Sequence, residues 1–206
     1  TDCISPISEG LLVDSIQREY PDAFIRAVTR SPKVYRGNPF QVEVVLAHAP
    51  SALPAGEPIT LLRFANRVPL LYKQGACAVQ KAVVSVPWKS YLVDHTKGNL
   101  PTGPIVLMVH LASAWVPFTS ESKEAIAVYD EIIDEMRLAI MECGRSLGNH
   151  LSKARREADE RQSREYISKY IPKISEALQK MLEFDDRDEP IVEIATRQTP
   201  SNQKPT

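Results

Sequence analysis

The sequence is poor in glycine and cysteine, has no excess charge of either sign and contains no long apolar run. Only 8 glycines are spread over 206 residues, and neither a GxxxxGK[ST] loop nor a GxGxxG after a strand pattern occurs. This chain alone therefore shows no phosphate-binding loop. Lys+Arg 25 against Asp+Glu 26 give a formal net charge of -1, so overall charge gives no argument for nucleic acid or a membrane.

The cysteines are an odd set without CxxC spacing, namely Cys3, Cys77 and Cys143. This usage is typical of a reducing compartment, so we expect a cytoplasmic protein. No apolar run approaches the roughly 18 residues of a membrane span, and no signal-peptide pattern is seen, so no membrane partner is expected. Because the first residue is Thr1 rather than Met, we expect a piece of a longer protein.

The titratable residues predict no metal site. The four histidines show no ligand spacing, and each is favoured as a core or surface group: His48, His95, His110 and His150. The acidic run at 185–188 is a weak cation candidate, because such runs near a chain end are usually solvated.

Periodicity predicts an α+β fold in which a four-stranded sheet is backed by helices. An amphipathic helix precedes Pro21, the strands are expected at 23–29, 40–46, 59–68 and 105–111, and a helix at 76–84. In the second strand Gln41 and Glu43 alternate with apolar residues, which indicates one solvated face. The fourth strand is apolar on both faces and is expected at the centre.

The second half of the chain is predicted to form one long helix from Ser122 to about residue 163, with an apolar stripe from Tyr129 to Ala154. Its charged later part predicts a stalk, Pro172 is expected to bend or break it, and a shorter apolar face follows at Ile174, Leu178, Met181 and Leu182. The expected organisation is a linker helix (1–21), a folded domain (22–150), a stalk with a docking helix (151–184) and a disordered tail (185–206).

Three clusters are candidates for function. Lys123 falls in the predicted first turn of the long helix, where backbone donors and an ammonium suit a phosphate; the alternative is a solvated lysine. Trp88, Lys89 and Tyr91 form a WKSY motif that suits a nucleic-acid backbone, or whose aromatic rings close the edge of the sheet. Lys153, Arg155 and Arg156 suit a phosphate track, although nearby carboxylates favour an ordinary solvated helix.

Several motifs in order resemble one family. They are VTRSPKVY from Val28, GNPF from Gly37, RFANRVPLLY from Arg63, WKSY from Trp88 and MVHLASAWVPFTSESKEAIA from Met108. Together they are similar to the transducer region in the B subunit of DNA topoisomerase VI, a type IIB topoisomerase, over about residues 3–182. The ATPase module and the helix-two-turn-helix insert of that family are absent from this sequence.

The resemblance implies a transducer fold like the second domain of the small-subunit ribosomal proteins, with a left-handed crossover and a stalk helix docking on the DNA-cleaving A subunit in an A2B2 assembly. It implies that Lys123 is the switch lysine reaching the γ-phosphate of ATP, held with Mg2+ mainly by the absent module, through which two B subunits also dimerise. It associates double-stranded DNA with Trp88, Lys89, Tyr91, Lys153, Arg155 and Arg156. The chain alone is not expected to be catalytic.

Two other classes of function stay open at the level of sequence. A non-catalytic relative of the B subunit could act as a scaffold for a cleaving partner. An RNA-binding protein of the ribosomal fold would need a basic sheet face, which the net charge of -1 disfavours.

Overall fold

The computed structural model describes residues 4–121 and 123–182, except for the side chains at 177 and 179–182. The chain divides into two compact units, Thr1–Ser152 and Lys153–Thr206. The predicted disordered tail and its acidic run lie outside the described residues.

Six strands form one mixed sheet in the first unit. Their bounds are β1 Phe24–Thr29, β2 Lys33–Tyr35, β3 Asn38–His48, β4 Thr60–Ala65, β5 Val68–Pro69 and β6 Ile105–Ser113. The order is β1-β3-β6-β4-β5, and β2 pairs with β3 as the first arm of a hairpin. Only β4 and β6 run parallel, while the other pairs are antiparallel. The four strands expected from periodicity are β1, β3, β4 and β6.

The predicted third strand, 59–68, runs three residues past the end of β4. β4 ends at Ala65, because Asn66 and Arg67 both adopt left-handed backbone conformations, with φ of 46° and 66°. Two consecutive residues of this kind make a tight hairpin turn into β5. The turn contains no glycine, so the usual sequence signal for it is missing.

In the described part of the chain the α-helices are α1 Glu9–Glu19, α2 Ala78–Ser85 and α3 Asp130–Leu182, and the sheet is covered by α1, α2 and the part of α3 that lies in the first unit. α1 packs on one face through Leu12 and Ile16, against Val45, Ala47 and Val106. The opposite face carries the larger core, shared by α2 and the first part of α3. The buried residues of α3 within the first unit are Ile132, Met136, Ala139, Ile140, Cys143 and Leu147.

Helices cover both faces of the sheet, and this explains how two of the predictions for the strands turned out. β6 is buried along almost its whole length at the centre of the sheet, as the apolar residues on both of its faces predicted. The prediction of a solvated face on β3 was wrong, since Glu43 is completely buried. α1 covers that face, so this helix is part of the packed body rather than a linker.

The 3₁₀ turns Gln74–Ala76 and Trp88–Tyr91 flank α2. Downstream, α3 continues through Pro172, so of the predicted bend or break at this proline the break does not occur. None of the helices in the described part of the chain is long and apolar enough to span a lipid bilayer.

Candidate functional site

A short loop carrying Lys123 connects the end of β6 to α3. We call residues 118–126 the Lys123 loop. Its two arms are joined by a bridge between Phe118 and Ile126, and the Thr119 amide donates to the Ala125 carbonyl at 2.9 Å. At the tip, the Lys123 amide donates to the Ser120 carbonyl at 3.1 Å, with Lys123 at φ 53°. The loop is therefore a closed turn that presents Lys123.

The long helix begins at Asp130, not near Ser122, so the prediction that Lys123 lies in its first turn was wrong. Ala125 and Ile126 are buried, and the Ile126 carbonyl accepts from the amide of Ala78 at the start of α2. These extended contacts use backbone groups that a helix would need for itself. The helix dipole therefore gives no reason for an anion to bind at Lys123.

The Lys123 side chain itself is exposed. The neighbouring Glu124 pairs with Lys73, whose Nζ lies 2.7 Å from its Oε2. Within residues 4–121 and 123–182, no carboxylate forms an ion pair with Lys123. An exposed ammonium at the tip of a fixed loop can reach an anion outside this chain.

The WKSY motif forms the 3₁₀ turn Trp88–Tyr91, which we call the WKSY turn. Trp88 has no exposed surface, and its Nε1 donates to the Val83 carbonyl at 2.8 Å. Tyr91 is 8% exposed, whereas Lys89 is open to solvent. Direct DNA contact by the two rings is incompatible with this burial. Both rings belong to the larger core, and Lys89 is the accessible cation of the motif.

Two glycines on α3 make room for the WKSY turn. A Cβ at Gly144 would lie 2.6 Å from Tyr91 Cδ2, and one at Gly148 would lie 3.2 Å from Tyr91 Cα. Real side chains do not approach so closely without displacement, so only glycine allows Tyr91 to lie against the helix at Gly144. α3 therefore positions the turn that carries Lys89.

In the second unit, Lys153, Arg155 and Arg156 are all exposed on α3. Lys153 Nζ lies 3.9 Å from Glu157 Oε1 on the next turn. With 3.6 residues per turn, Arg156 lies about 60° from Lys153 around the helix axis, and Arg155 lies about 160° from Lys153. The three cations therefore do not share one face, and a single straight backbone could contact Lys153 and Arg156 together but not Arg155.

The second unit also has an exposed apolar stripe. It is longer than the face predicted after Pro172, since it begins at Tyr166, and its described members are Tyr166, Ile167, Tyr170, Ile174 and Leu178. The rings of Tyr166 and Tyr170 pack at a centroid distance of 4.4 Å. The side chains of Met181 and Leu182, which the sequence added to this face, lie outside the described ones.

A buried polar cluster that the sequence did not reveal connects three segments of the first unit. Glu43 and His110 are both fully buried, with His110 Nδ1 2.8 Å from Glu43 Oε2. Glu43 also accepts from the amides of Ile7 and Ser8, at 2.8 and 2.9 Å, and His110 Nε2 accepts from the Arg67 amide at 3.1 Å. We call this the Glu43–His110 network. Its only sequence signal was a polar residue on each of two central strands.

The hydrogen bonds indicate which ring nitrogen of His110 donates to Glu43. His110 Nε2 accepts from the Arg67 amide, so Nδ1 carries the hydrogen that bonds to Glu43 Oε2. Burial opposes ionisation of Glu43, but the bonds from His110, Ile7 and Ser8 outweigh it and lower the pKa of Glu43 below its ordinary value. The carboxylate also lies just before α1, where the helix dipole favours negative charge.

This arrangement predicts acid sensitivity. A lowered pKa in the folded state means that Glu43 contributes stability above the ordinary carboxyl pKa and loses it as the pH falls through the folded value. The urea midpoint of the native chain should therefore fall more steeply between about pH 5 and pH 3 than that of Glu43→Gln. The exposed Asp14→Asn controls for the change in net charge, and it should retain the steep decline. Equal slopes for the native chain and Glu43→Gln would contradict the assignment.

The remaining acidic and sulfur-containing groups offer no metal centre. Among residues 4–121 and 123–182, no three His, Cys, Asp or Glu side chains are arranged to hold a metal ion. Cys77 and Cys143 are free and buried, and burial raises the pKa of the Cys143 thiol to about 12.

Comparison with known proteins gives consistent matches. The profile of the family described as "Topoisomerase VI B subunit, transducer" matches residues 1–164. The B subunit of type 2 DNA topoisomerase 6 from Archaeoglobus fulgidus is 48% identical over 183 residues, which cover 89% of this chain and 30% of that protein. The corresponding protein of Methanococcoides burtonii is 47% identical over 185 residues, 90% of this chain and 30% of its own length.

A relative with lower sequence identity matches a similar share of the chain. The B subunit of type 2 DNA topoisomerase 6 from Thermococcus kodakarensis is 42% identical over 176 residues, 85% of this chain and 30% of that protein. The chain thus spans about 30% of the length of these relatives. Among solved structures, the B subunit of Myxococcus xanthus DNA gyrase aligns with a TM-score of 0.40 and 16% identity, over 68% of this chain and 38% of that chain.

Proposed function

Because the chain belongs to the topoisomerase VI B subunit transducer family, as its motifs predicted, we propose that it couples an ATPase cycle to double-strand DNA passage. The ATP-binding module would lie outside these 206 residues, and DNA would be cleaved by an A subunit. In this proposal the chain is a mechanical relay in an ATP-dependent topoisomerase and is not catalytic by itself.

The observation that carries the proposal is the exposure of Lys123 on a loop joined to a packed body. The loop follows β6, the central strand, and is fixed to α2 through the hydrogen bond between Ala78 and Ile126. The first part of α3 packs on the same core. Close-packed interiors have low compressibility, so a displacement at the loop would be transmitted to the sheet and α3 together rather than absorbed locally.

Lys123 suits a single contact to a phosphate. Its ammonium is exposed and without a carboxylate partner in the described chain, so it can stabilise negative charge on a phosphate oxygen. Hydrolysis of bound ATP removes that phosphate and would release the contact. Among the described residues, no three His, Cys, Asp or Glu side chains form a metal-ion site. In this proposal, Mg2+ would accompany ATP in the other module.

The proposal includes an A2B2 assembly in the cytoplasm. The exposed apolar stripe from Tyr166 to Leu178 supports a docking surface for the A subunit, since such surfaces are usually covered by a partner. A second B subunit would pair through the ATP-binding module. The buried free thiols Cys77 and Cys143 support a reducing compartment.

Double-stranded DNA is the proposed polymer partner, contacted by Lys89 and by one side of α3 in the second unit. Trp88 and Tyr91 would act indirectly, by holding Lys89 in place. Lys153 and Arg156 are the favoured pair on α3, because they lie within about 60° of each other around the helix axis.

The salt dependence of DNA binding tests this choice of face. In the complete enzyme, Lys153→Ala with Arg156→Ala should reduce the slope of log K against log salt by about 2, since each lost phosphate contact removes about 0.9. Lys89→Ala should reduce the slope by about 1. Arg155→Ala is the matched control on the opposite side and should leave the slope unchanged. A reduction of about 1 for Arg155→Ala, the value expected for one lost phosphate contact, would contradict this choice of face.

The decisive test of the function as a whole is ATP turnover by the complete enzyme carrying Lys123→Ala. Loss of turnover, with the A subunit still bound, would support the relay. Unchanged turnover would reject the switch role of Lys123.

A further inference from the structure

We propose that Glu43 and His110 are positioning residues that connect residues 6–8 mechanically to the end of β6, just before the Lys123 loop. This inference rests on the proposed function. It assigns to the pair a role in coupling the ATPase cycle to strand passage, beyond its contribution to the stability of the fold.

The carboxylate end of the network holds the N-terminal residues. Glu43 Oε2 and Oε1 accept from the amides of Ile7 and Ser8 at 2.8 and 2.9 Å. Arg67 Nη2 adds a third bond, at 3.1 Å, to the carbonyl of Pro6. Three consecutive residues of the backbone are thus held by side chains from β3 and from the turn after β4.

The imidazole end of the network reaches the loop. His110 Nε2 accepts from the Arg67 amide at 3.1 Å, and the adjacent Asn66 is bonded to Ser113 in both directions at 2.9 Å. Ser113 is the last residue of β6, and its Oγ donates to the Trp115 carbonyl at 3.0 Å. These hydrogen bonds, together with the peptide bond between Asn66 and Arg67, therefore connect residues 6–8 to Ser113 and Trp115, which precede the Lys123 loop.

The network is well suited to transmit displacement. Both side chains at its centre have no exposed surface, so water cannot easily replace a lost bond. Ser8, Asn66 and Arg67 all have positive φ, at 88°, 46° and 66°. Such conformations persist only where surrounding contacts fix them, and here the network provides those contacts. A shift of residues 6–8 is thus expected to move the turn after β4 and, through it, Ser113.

An alternative role is stability alone. Buried polar pairs are often replaceable by apolar residues without loss of stability, so stability is a weak reason to place a carboxylate in a core. A stabilising pair would affect ATP turnover and strand passage equally, through the fraction of folded enzyme. A coupling pair would change the number of ATP molecules used per passage.

The test uses the complete enzyme, in which the full-length B and A subunits are assembled. Glu43→Gln should weaken the hydrogen bonds to residues 7 and 8. The side-chain nitrogen that replaces one carboxylate oxygen cannot accept a hydrogen bond from a backbone N–H. His110→Asn keeps a donor toward Glu43 but leaves the Arg67 amide without an acceptor. Val45→Ala is the control: this residue is buried on the same face of β3 and has no part in the network. The readouts are ATP hydrolysed per strand passage and hydrogen exchange of a peptide covering residues 4–12.

Both network variants should raise ATP consumption per passage by at least about five-fold, the lower end of typical coupling between sites. Glu43→Gln should also speed exchange in residues 4–12, whereas His110→Asn should not. Val45→Ala should lower both rates together and keep the native ratio. If the network variants also keep that ratio, the inference is overturned. If Lys123→Ala, measured alongside, retains native ATP turnover, the proposed function fails and the inference with it.

Discussion

Replacing Lys123 with alanine in the complete enzyme is expected to lower the rate of ATP hydrolysis by about 100-fold, the usual loss when one charge-stabilising donor is removed. Strand passage should fall with it, because the contact that reports the phosphate is lost. The substitution should not affect folding, since the Lys123 side chain is exposed and contributes nothing to the core. Steady-state ATP turnover and relaxation of supercoiled DNA are the measurements.

Two controls sharpen this experiment. Lys97→Ala removes another exposed loop lysine of the same unit and should leave ATP turnover unchanged. Lys123→Arg keeps the positive charge and should recover part of the activity, although its planar group differs in reach and geometry. Full activity of Lys123→Ala, or an equal loss in Lys97→Ala, would contradict a specific role for Lys123.

The second large effect is expected at the contact between α3 and the WKSY turn. Gly144→Ala places a Cβ 2.6 Å from the Tyr91 ring, which is confined by the core around it. We expect the free energy of unfolding to fall by about 2 kcal/mol, as is typical of overpacking. Urea unfolding of the chain measures this. In the complete enzyme, displacement of the turn should also weaken the contribution of Lys89 to DNA binding.

A double substitution separates this clash from other effects of the mutation. In a Tyr91→Ala background the ring is absent, so Gly144→Ala should become stabilising by up to about 1 kcal/mol, the helix preference of alanine over glycine. Gly148→Ala is the matched control, because its Cβ would meet the Tyr91 backbone at 3.2 Å, which Tyr91→Ala leaves in place. If Gly144→Ala is equally destabilising in both backgrounds, the clash with the ring is not the cause.

The positions that the sequence could not assign share one physical feature, which is that distant segments decide them. Helical potential near Ser122 was overridden when Ile126 paired with Phe118 and with the start of α2. For the aromatic rings of the WKSY motif, the sequence left nucleic-acid contact and a packing role both open, and in the structure α3 and the core bury the two rings. The proposed switch role of Lys123 comes from the family resemblance. The structural features that agree with it are the exposed Lys123 side chain and the contacts that close the loop.

The sequence alone determined the features that depend on local periodicity. The stripe from Met136 through Leu147 specified which side of α3 would be buried. Apolar residues on both faces of β6 specified a central strand, since burial repeats with the period of each element. Its motifs also identified the family. Tertiary structure decided the partners of its polar groups. Glu43, His110 and Arg67 come from separate parts of the chain, and a buried hydrogen-bond network exists only when packing brings such donors and acceptors within about 3 Å.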